Sequence, residues 1–255
     1  METDSLKSKS ERPAWSTTKI WLAAAGLVAT GLVVLNFDTA LANPSNLEYL
    51  PGDLKRFVRL SELFAHGFGV GVVAIGIWLM AKEKRRFIPR IMLCAFWPSA
   101  GVHLMKVCFA RYRPIKYFDE FRVANFPDRI SETWAGWMPS DQLNVAYSMQ
   151  SFPSAHVATV WGLAIGMNYV FPQGRWLYVF LAILASIQRV SSFAHWSSDV
   201  FFGAAIACVM AGALTQNWGL GRLLGWFEDR NQAVPPLQLA EVGESDQDLG
   251  RSGAA

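Results

Sequence analysis

The sequence predicts an all-α fold, a polytopic membrane helical bundle with about six transmembrane helices. Hydrophobic residues make up 52% of the 255 residues and charged residues only 17%, below the roughly 25% typical of soluble proteins. The apolar residues form long blocks instead of recurring at a helix or strand period. The net charge of +3 is carried by dispersed basic residues, which argues against nucleic-acid binding.

Six apolar blocks are the predicted spans: 20–37, 63–81, 87–110, 154–171, 176–187 and 200–216. A bilayer core about 30 Å thick needs roughly 20 helical residues, and Pro, Gly or charged residues separate the blocks. We therefore divide the chain into a cytoplasmic segment 1–19, a membrane domain 20–218 and a cytoplasmic tail 219–255. The tail is expected to begin with a short interfacial helix and to be partly disordered.

The first block has a second interpretation as a signal peptide. Basic residues precede it, and Ala40-Leu41-Ala42 has the small-x-small form of a cleavage site. However, the apolar run is longer than the 7–15 residues typical of such a region, and Asp38 lies before the cut. The comparison favours a retained first helix.

Three stretches of ionisable residues, 106–114, 152–156 and 188–199, fall at the ends of predicted spans. The larger share of the 23 Lys and Arg residues lies in segments that six alternating spans place in the cytoplasm, as the positive-inside rule expects. That orientation puts all three stretches on the outer face. Ionisable groups at a membrane boundary are costly and indicate function.

The first stretch contains Lys106 and Arg113, whose separation of seven residues is about two helical turns, so both can face one way. Pro114 ends that helix. The two cations alone are equally typical of side chains that reach toward lipid headgroups.

The second stretch contains Ser154 and His156 at the start of the fourth span. Ser154 is a good helix N-cap, and the free N–H groups of a helix N-terminus bind anions. A capped helix with an interfacial histidine is the simpler alternative.

The third stretch contains Arg189, His195 and Asp199. His195 and Asp199 are four residues apart, so the carboxylate can hold the imidazole in one tautomer and leave the other ring nitrogen as a nucleophile or base. Asp199 can also cap the sixth helix, and both roles are compatible.

Taken together, the stretches predict a site for phosphoryl transfer. Cations and N–H donors stabilise the charge on the phosphoryl oxygens. One histidine can attack phosphorus while the other protonates the leaving oxygen. No carboxylate cluster suited to Mg²⁺ accompanies them, so the sequence predicts a reaction without metal or cofactor.

The three stretches resemble the signature motifs of the type-2 phosphatidic acid phosphatase family, which shares its core with vanadium haloperoxidases. The family patterns are K-x6-RP, PSGH and SR-x5-H-x3-D. The matching residues are Lys106-x6-Arg113-Pro114, Pro153-Ser154-Ala155-His156 and Gln188-Arg189-x5-His195-x3-Asp199. The resemblance covers roughly residues 63–216.

The resemblance implies a role for each matching residue. His195 would be the nucleophile that becomes a phosphohistidine, Asp199 would orient it, and His156 would protonate the leaving group. The expected phosphate-binding groups are Lys106, Arg113, Arg189, the Ser154 hydroxyl and the Ala155 backbone N–H.

Two residues depart from the family pattern. Ala155 replaces the usual Gly, but its N–H can still donate. Gln188 replaces the usual Ser and removes a small hydroxyl beside Arg189. We expect both changes to alter fit without abolishing activity.

The sequence thus predicts an integral membrane phosphatase that hydrolyses a lipid-linked phosphate monoester or diphosphate. The expected location is the bacterial inner (cytoplasmic) membrane, with the site facing the periplasm or exterior and the lipid phosphate as its partner. Two alternatives stay open: a lipid phosphotransferase that uses the same phosphohistidine, and a non-catalytic lipid- or anion-binding protein. Six spans argue against a haloperoxidase.

Overall fold

A computed structural model describes residues 16–42, 51–121, 133–137 and 147–230. In these residues the fold is mostly helical, with ten α-helices and a two-stranded sheet that the sequence did not predict. The elements are α1 (Thr17–Leu35), α2 (Asp38–Leu41), α3 (Gly52–Leu60), α4 (Gly67–Met80), α5 (Ile88–Cys108), β1 (Phe109–Arg111), α6 (Pro114–Phe121), β2 (Trp134–Trp137), α7 (Ala155–Val170), α8 (Arg175–Ser191), α9 (Ser197–Leu214) and α10 (Gly219–Arg230). Most of the predicted segment 1–19, and the tail beyond α10, lie outside the described residues.

Each of the six apolar blocks contains a helix, but not every one has the length of a span. Among the described residues, three helical segments are long and apolar enough to cross a membrane: Thr17–Leu35, Lys82–Cys108 and Ser197–Leu214. A fourth span is possible if Arg56–Ala65 and Gly67–Met80, which meet at a bend of 73°, count as one.

The two remaining helices, α7 and α8, have 16 and 17 residues. At 1.5 Å per residue both are shorter than a bilayer core of about 30 Å. The ends of α7 are set by local sequence, since Ser154 caps its start and a turn at Pro172–Gly174 separates it from α8. The helices of the prediction are therefore present, while six membrane crossings are not confirmed.

Helices α5, α7 and α9 pack against one another at the centre, with α8 against α7 and α1 against α9. Small residues allow this close contact. A Cβ atom on Gly162 would lie 2.0 Å from the carbonyl oxygen of Cys94, so the backbones of α7 and α5 touch at this point. Interiors packed this tightly leave no room for an added methyl group.

A second close contact joins α9 to the start of α7. A Cβ atom on Gly203 would lie 2.5 Å from the carbonyl oxygen of Ser154. One turn earlier, the backbone N–H of Ser154 donates to the carbonyl oxygen of Asp199 at 3.2 Å. These contacts bring the second and third ionisable stretches together.

The first helix packs on α9 through two glycines. Gly31 faces Phe202, and Gly212 faces Ile20. The short helix α2 then carries Asp38, whose side chain is fully buried against α9. Both α1 and Asp38 precede Ala42, so they belong to the part of the chain that the signal-peptide interpretation would remove.

The two-stranded sheet carries the first ionisable stretch into the protein. Strand β1 continues directly from α5 and pairs antiparallel with β2, with Arg111 opposite Trp134. The carbonyl oxygen of Arg111 accepts the backbone N–H of Ser151 at 3.0 Å. The sheet therefore places the end of the first stretch beside the residues that precede α7.

We expect Gly203→Ala to destabilise the protein by about 1–3 kcal/mol, because the added methyl group must push α9 away from α7. Thermal unfolding in detergent, followed by tryptophan fluorescence, measures this change. Gly71→Ala on α4 is the control, since its Cβ atom would meet nothing within 4 Å. Equal Tm values for the two variants would contradict the close contact at Gly203.

Candidate active site

The three ionisable stretches meet in one buried cluster. The guanidinium of Arg113 donates to the carbonyl oxygen of Ala194, next to His195, at 3.1 Å. The guanidinium of Arg113 is also close enough to interact electrostatically with Arg189 and His195. The imidazole of His156 interacts in the same way with Arg189 and His195. The structure thus brings together the side chains that sequence spacing alone had placed only on the same face.

His195 lies in the turn between α8 and α9 and is 1% exposed. The turn requires Phe193 to adopt a positive φ of 55°, a conformation that costs a non-glycine residue roughly 1–2 kcal/mol. The Nδ1 atom of His195 lies 2.7 Å from the carbonyl oxygen of Ser151. A carbonyl oxygen only accepts, so Nδ1 carries the proton and Nε2 keeps its lone pair.

The electrostatic surroundings keep this imidazole neutral. Burial lowers the pKa of His195 to about 4; the Asp199 carboxylate opposes this effect, and the charges of Arg113 and Lys106 add to it. A neutral ring at pH 7 makes Nε2 available as a nucleophile.

The sequence had led us to expect that Asp199 holds the imidazole of His195 directly, but in the structure it does not. Its Oδ2 atom is 3.7 Å from Nδ1 of His195, beyond hydrogen-bond distance. Oδ2 accepts the Ser151 hydroxyl at 2.5 Å and the backbone N–H of Trp196 at 3.0 Å. Asp199 therefore caps α9, one of its two expected roles, and reaches His195 through Ser151.

Sequence reasoning missed Ser151 and Arg111. Ser151 joins His195 to Asp199 through its carbonyl and its hydroxyl, yet no spacing distinguishes it in the sequence. Arg111 is fully buried, and its NH1 lies 2.5 Å from Oδ1 of Asp199. A third basic residue in the stretch 106–114 was the available signal, but the spacing of Lys106 and Arg113 alone had guided the prediction.

The two cations of the first stretch differ in their contacts. Arg113 donates from Nε to the carbonyl oxygen of Tyr147 at 3.0 Å and lies over the Tyr147 ring at 3.8 Å. Together with its bond to Ala194, this ties the turn of His195 to the segment before α7. Lys106 lies in the last turn of α5 and is 7% exposed. A buried ammonium beside Arg113 favours a nearby anion.

Arg189, at the end of α8, is already paired with a carboxylate. Its NH2 lies 2.5 Å from Oε1 of Glu62, and its Nε donates to the side-chain oxygen of Gln188. Gln188 in turn donates to Oε2 of Glu62 at 2.8 Å. The glutamine that departs from the family pattern therefore links Arg189 to Glu62.

The second stretch forms the start of α7. The Ser154 hydroxyl oxygen accepts the N–H of Val157 at 3.5 Å, and Ala155 is the first helical residue, buried near Val102 and Ala158. His156 is partly buried, with its ring edge-on to His66 at 4.8 Å between centroids. His66, which the sequence had not assigned to the site, is thus adjacent to the expected acid.

Glu62, His66 and His156 form the one group of potential metal ligands among the described residues, with ligand atoms within 4.8 Å of one another. Glu62 already neutralises Arg189, whose positive charge lies next to any ion bound there. The charge of Arg189 therefore opposes the binding of a cation by these three residues.

We expect the imidazole of His195 to stay neutral as pH falls from 7 toward about 4 and to become protonated through that value. Its pKa is lowered from the ordinary value of about 6.5, so the neutral form is the one present above about 4. Nitrogen-15 NMR of protein labelled at its four histidines measures both pKa and tautomer, and His195→Gln identifies the signal. A pKa near 6.5, or a proton on Nε2, would contradict this geometry.

We expect Glu62→Gln to strengthen competitive inhibition by inorganic phosphate about two- to fivefold, because it removes a carboxylate that competes for Arg189. Glu83→Gln, at an exposed position in the basic turn before α5, serves as the control. Weaker inhibition by phosphate in Glu62→Gln, seen as a higher inhibition constant, would mean that Glu62 orients Arg189 for phosphate and does not compete with it.

Comparison with known proteins agrees with the geometry of the site. Residues 90–220, just over half of the chain, match the PAP2 superfamily. A comparison with curated proteins and with solved structures finds no match. The matched region includes all three ionisable stretches and helices α5, α7, α8 and α9, so the chain belongs to the PAP2 superfamily.

Proposed function

We propose that this protein is an integral membrane phosphatase that hydrolyses a lipid-linked phosphate monoester or diphosphate through a phosphohistidine. Members of the PAP2 superfamily are phosphatases and phosphoesterases. The observation that carries the proposal is the orientation of His195, whose Nδ1 is bound to the Ser151 carbonyl. The free nitrogen, Nε2, then belongs to a cluster that contains Lys106, Arg113 and Arg189.

In the first step, Nε2 of His195 attacks phosphorus as the bond from phosphorus to the leaving oxygen breaks. The charge of Arg189 beside His156 acts against protonation of its ring, so the step requires the negative charge of the bound substrate to stabilise a protonated His156. His156 then gives its proton to that oxygen, and the alcohol or phosphate leaves without excess negative charge. Lys106, Arg113 and Arg189 stabilise the negative charge spread over the phosphoryl oxygens. For Arg189 this requires the phosphate to replace the carboxylate of Glu62.

In the second step, water attacks the phosphohistidine. His156, now neutral, accepts a proton from the water as the new P–O bond forms and the N–P bond breaks. Inorganic phosphate leaves, and His195 returns to its neutral form with the proton still on Nδ1. The carbonyl of Ser151 holds this tautomer through both steps, because it accepts only from a protonated nitrogen.

A lipid substrate is supported by an apolar groove between α1, α8 and α9. The residues at its centre include Leu27, Ile183, Ile187 and Phe201, and it reaches Ser191 and Ser197 on either side of the turn that carries His195. An acyl or prenyl chain in such a groove would place its phosphate near this turn. The six-span topology, with the active site on the outer face, belongs to the same proposal and rests on the distribution of Lys and Arg.

The test is phosphate release by detergent-purified protein with EDTA present. The substrates are phosphatidate, phosphatidylglycerol phosphate, a polyprenyl diphosphate, lipid A and the water-soluble p-nitrophenyl phosphate. We expect release from at least one lipid, faster than from the soluble ester, and a loss of more than about a thousandfold in His195→Ala. His103→Ala, which removes an exposed histidine from α5, should keep the activity.

The other outcomes separate the alternatives. Release that survives in His195→Ala would exclude His195 as the nucleophile. Release that EDTA abolishes would contradict the metal-independent reaction. A phosphorylated lipid product that forms only with an added acceptor would identify a phosphotransferase, and no turnover by folded protein would support the binding protein.

A further inference from the structure

Asp38 lies far outside the region matched to the superfamily, yet its side chain is fully buried beside the active site. Its Oδ2 atom accepts NH2 of Arg111 at 2.8 Å, and its Oδ1 atom accepts the backbone N–H of Ser198 at 2.9 Å. The Ser198 hydroxyl also donates to Asp38. The N-terminal part of the chain thus contacts the first turn of α9, which contains Asp199.

Arg111 is shared between two carboxylates. NH2 faces Asp38, while NH1 lies 2.5 Å from Oδ1 of Asp199 and 2.8 Å from the Ser198 hydroxyl. Asp38, Arg111 and Asp199 all have 0% exposed side chains. Burial raises the pKa of Asp38, while the Arg111 guanidinium and the hydrogen bonds from Ser198 oppose this effect. With both carboxyl groups ionised, the three side chains form one unit with a net charge of −1.

This net charge matters for His195. When Nε2 binds phosphorus while Nδ1 keeps its proton, the imidazole ring becomes positively charged. Asp199 is the nearest anion, but Arg111 beside it cancels that charge. The second carboxylate, Asp38, restores a net negative charge, which stabilises the cationic ring in a site shielded from water.

We propose that Asp38 and Arg111 are positioning residues for His195: Arg111 fixes the carboxylate of Asp199, and Asp38 keeps the buried unit anionic. This inference rests on the proposed phosphohistidine reaction. Its consequence is that the functional unit begins no later than residue 38, so that α2 belongs to the catalytic domain although the superfamily match starts at residue 90.

The other groups that face His195 come from several elements. Asp199 is on α9, Lys106 is on α5, Arg113 follows β1, and their charges act on the ring directly. His156 faces it from α7. None of these groups changes in a substitution at Asp38, so a shift in the titration of His195 would report on the buried unit.

The first variant is Asp38→Asn, which keeps the size and an acceptor oxygen but removes the charge. We expect kcat to fall about ten- to hundredfold with KM within about twofold, because the phosphate-binding cations are unchanged. We also expect the pKa of His195, measured by nitrogen-15 NMR, to fall below that of the parent protein. Asp53→Asn is the control, since the Asp53 side chain is 99% exposed.

The second variant is the double substitution Asp38→Asn/Arg111→Gln, which restores the net charge of −1. We expect the pKa of His195 in this variant to return toward the parent value, while kcat stays low because Arg111 no longer fixes the carboxylate of Asp199. A purely structural role for the unit predicts no recovery of this pKa, because the second change only removes further hydrogen bonds from a buried site. The double variant therefore decides the question even if Asp38→Asn lowers the Tm.

An unchanged kcat and an unchanged pKa of His195 in Asp38→Asn would overturn the inference. A pKa of His195 that is no higher in the double variant than in Asp38→Asn would also overturn it. If the parent protein releases no phosphate from any substrate, the proposed function fails instead. The NMR measurement then still tests whether Asp38 sets the charge around His195.

Discussion

The buried ion pair between Arg111 and Asp199 is the interaction on which the arrangement of the site depends. Removing one partner from such a pair leaves an uncompensated charge and typically costs about 3–5 kcal/mol. Arg111 is the last residue of strand β1, and Asp199 lies in the first turn of α9, so the pair joins the two-stranded sheet to the helical core. Ser151, bound to Asp199, then presents its carbonyl to His195. The tautomer of His195 therefore depends on an ion pair in which His195 itself takes no part.

The positive charge of Arg189 is neutralised by a carboxylate of the protein itself. Glu62 pairs with Arg189, and Gln188 bonds to both. A buried arginine needs an anion, and this carboxylate supplies one from the 3-10 turn between α3 and α4. In the proposed reaction, phosphate would bind Arg189 by replacing this carboxylate, an exchange of one anion for another. Gln188 fits this arrangement because its amide both donates and accepts.

The packing of the helical core positions the ends of the short helices α7 and α8 at the site. Glycines at 162 and 203 let α7 touch α5 and α9, so the N-terminus of α7 lies against the turn of His195. One end of each helix lies at the site, the start of α7 at Ser154 and the end of α8 at Arg189, while the turn at Pro172–Gly174 separates their opposite ends.

The sequence by itself determined the helical class, the positions of the six apolar helices and the residues of the three motifs, because hydrophobic blocks and residue spacing are local properties. It also placed Arg113, Ser154, Arg189 and His195 in one site. Only the tertiary structure decided that Ser151 binds His195, that Arg111 joins Asp38 to Asp199, and that Glu62 faces Arg189. The partners of His195, Asp38 and Asp199 in these contacts are 44, 73 and 88 residues away in the sequence, and Glu62 is farther still from Arg189. No local pattern records a contact that forms only when distant helices pack together.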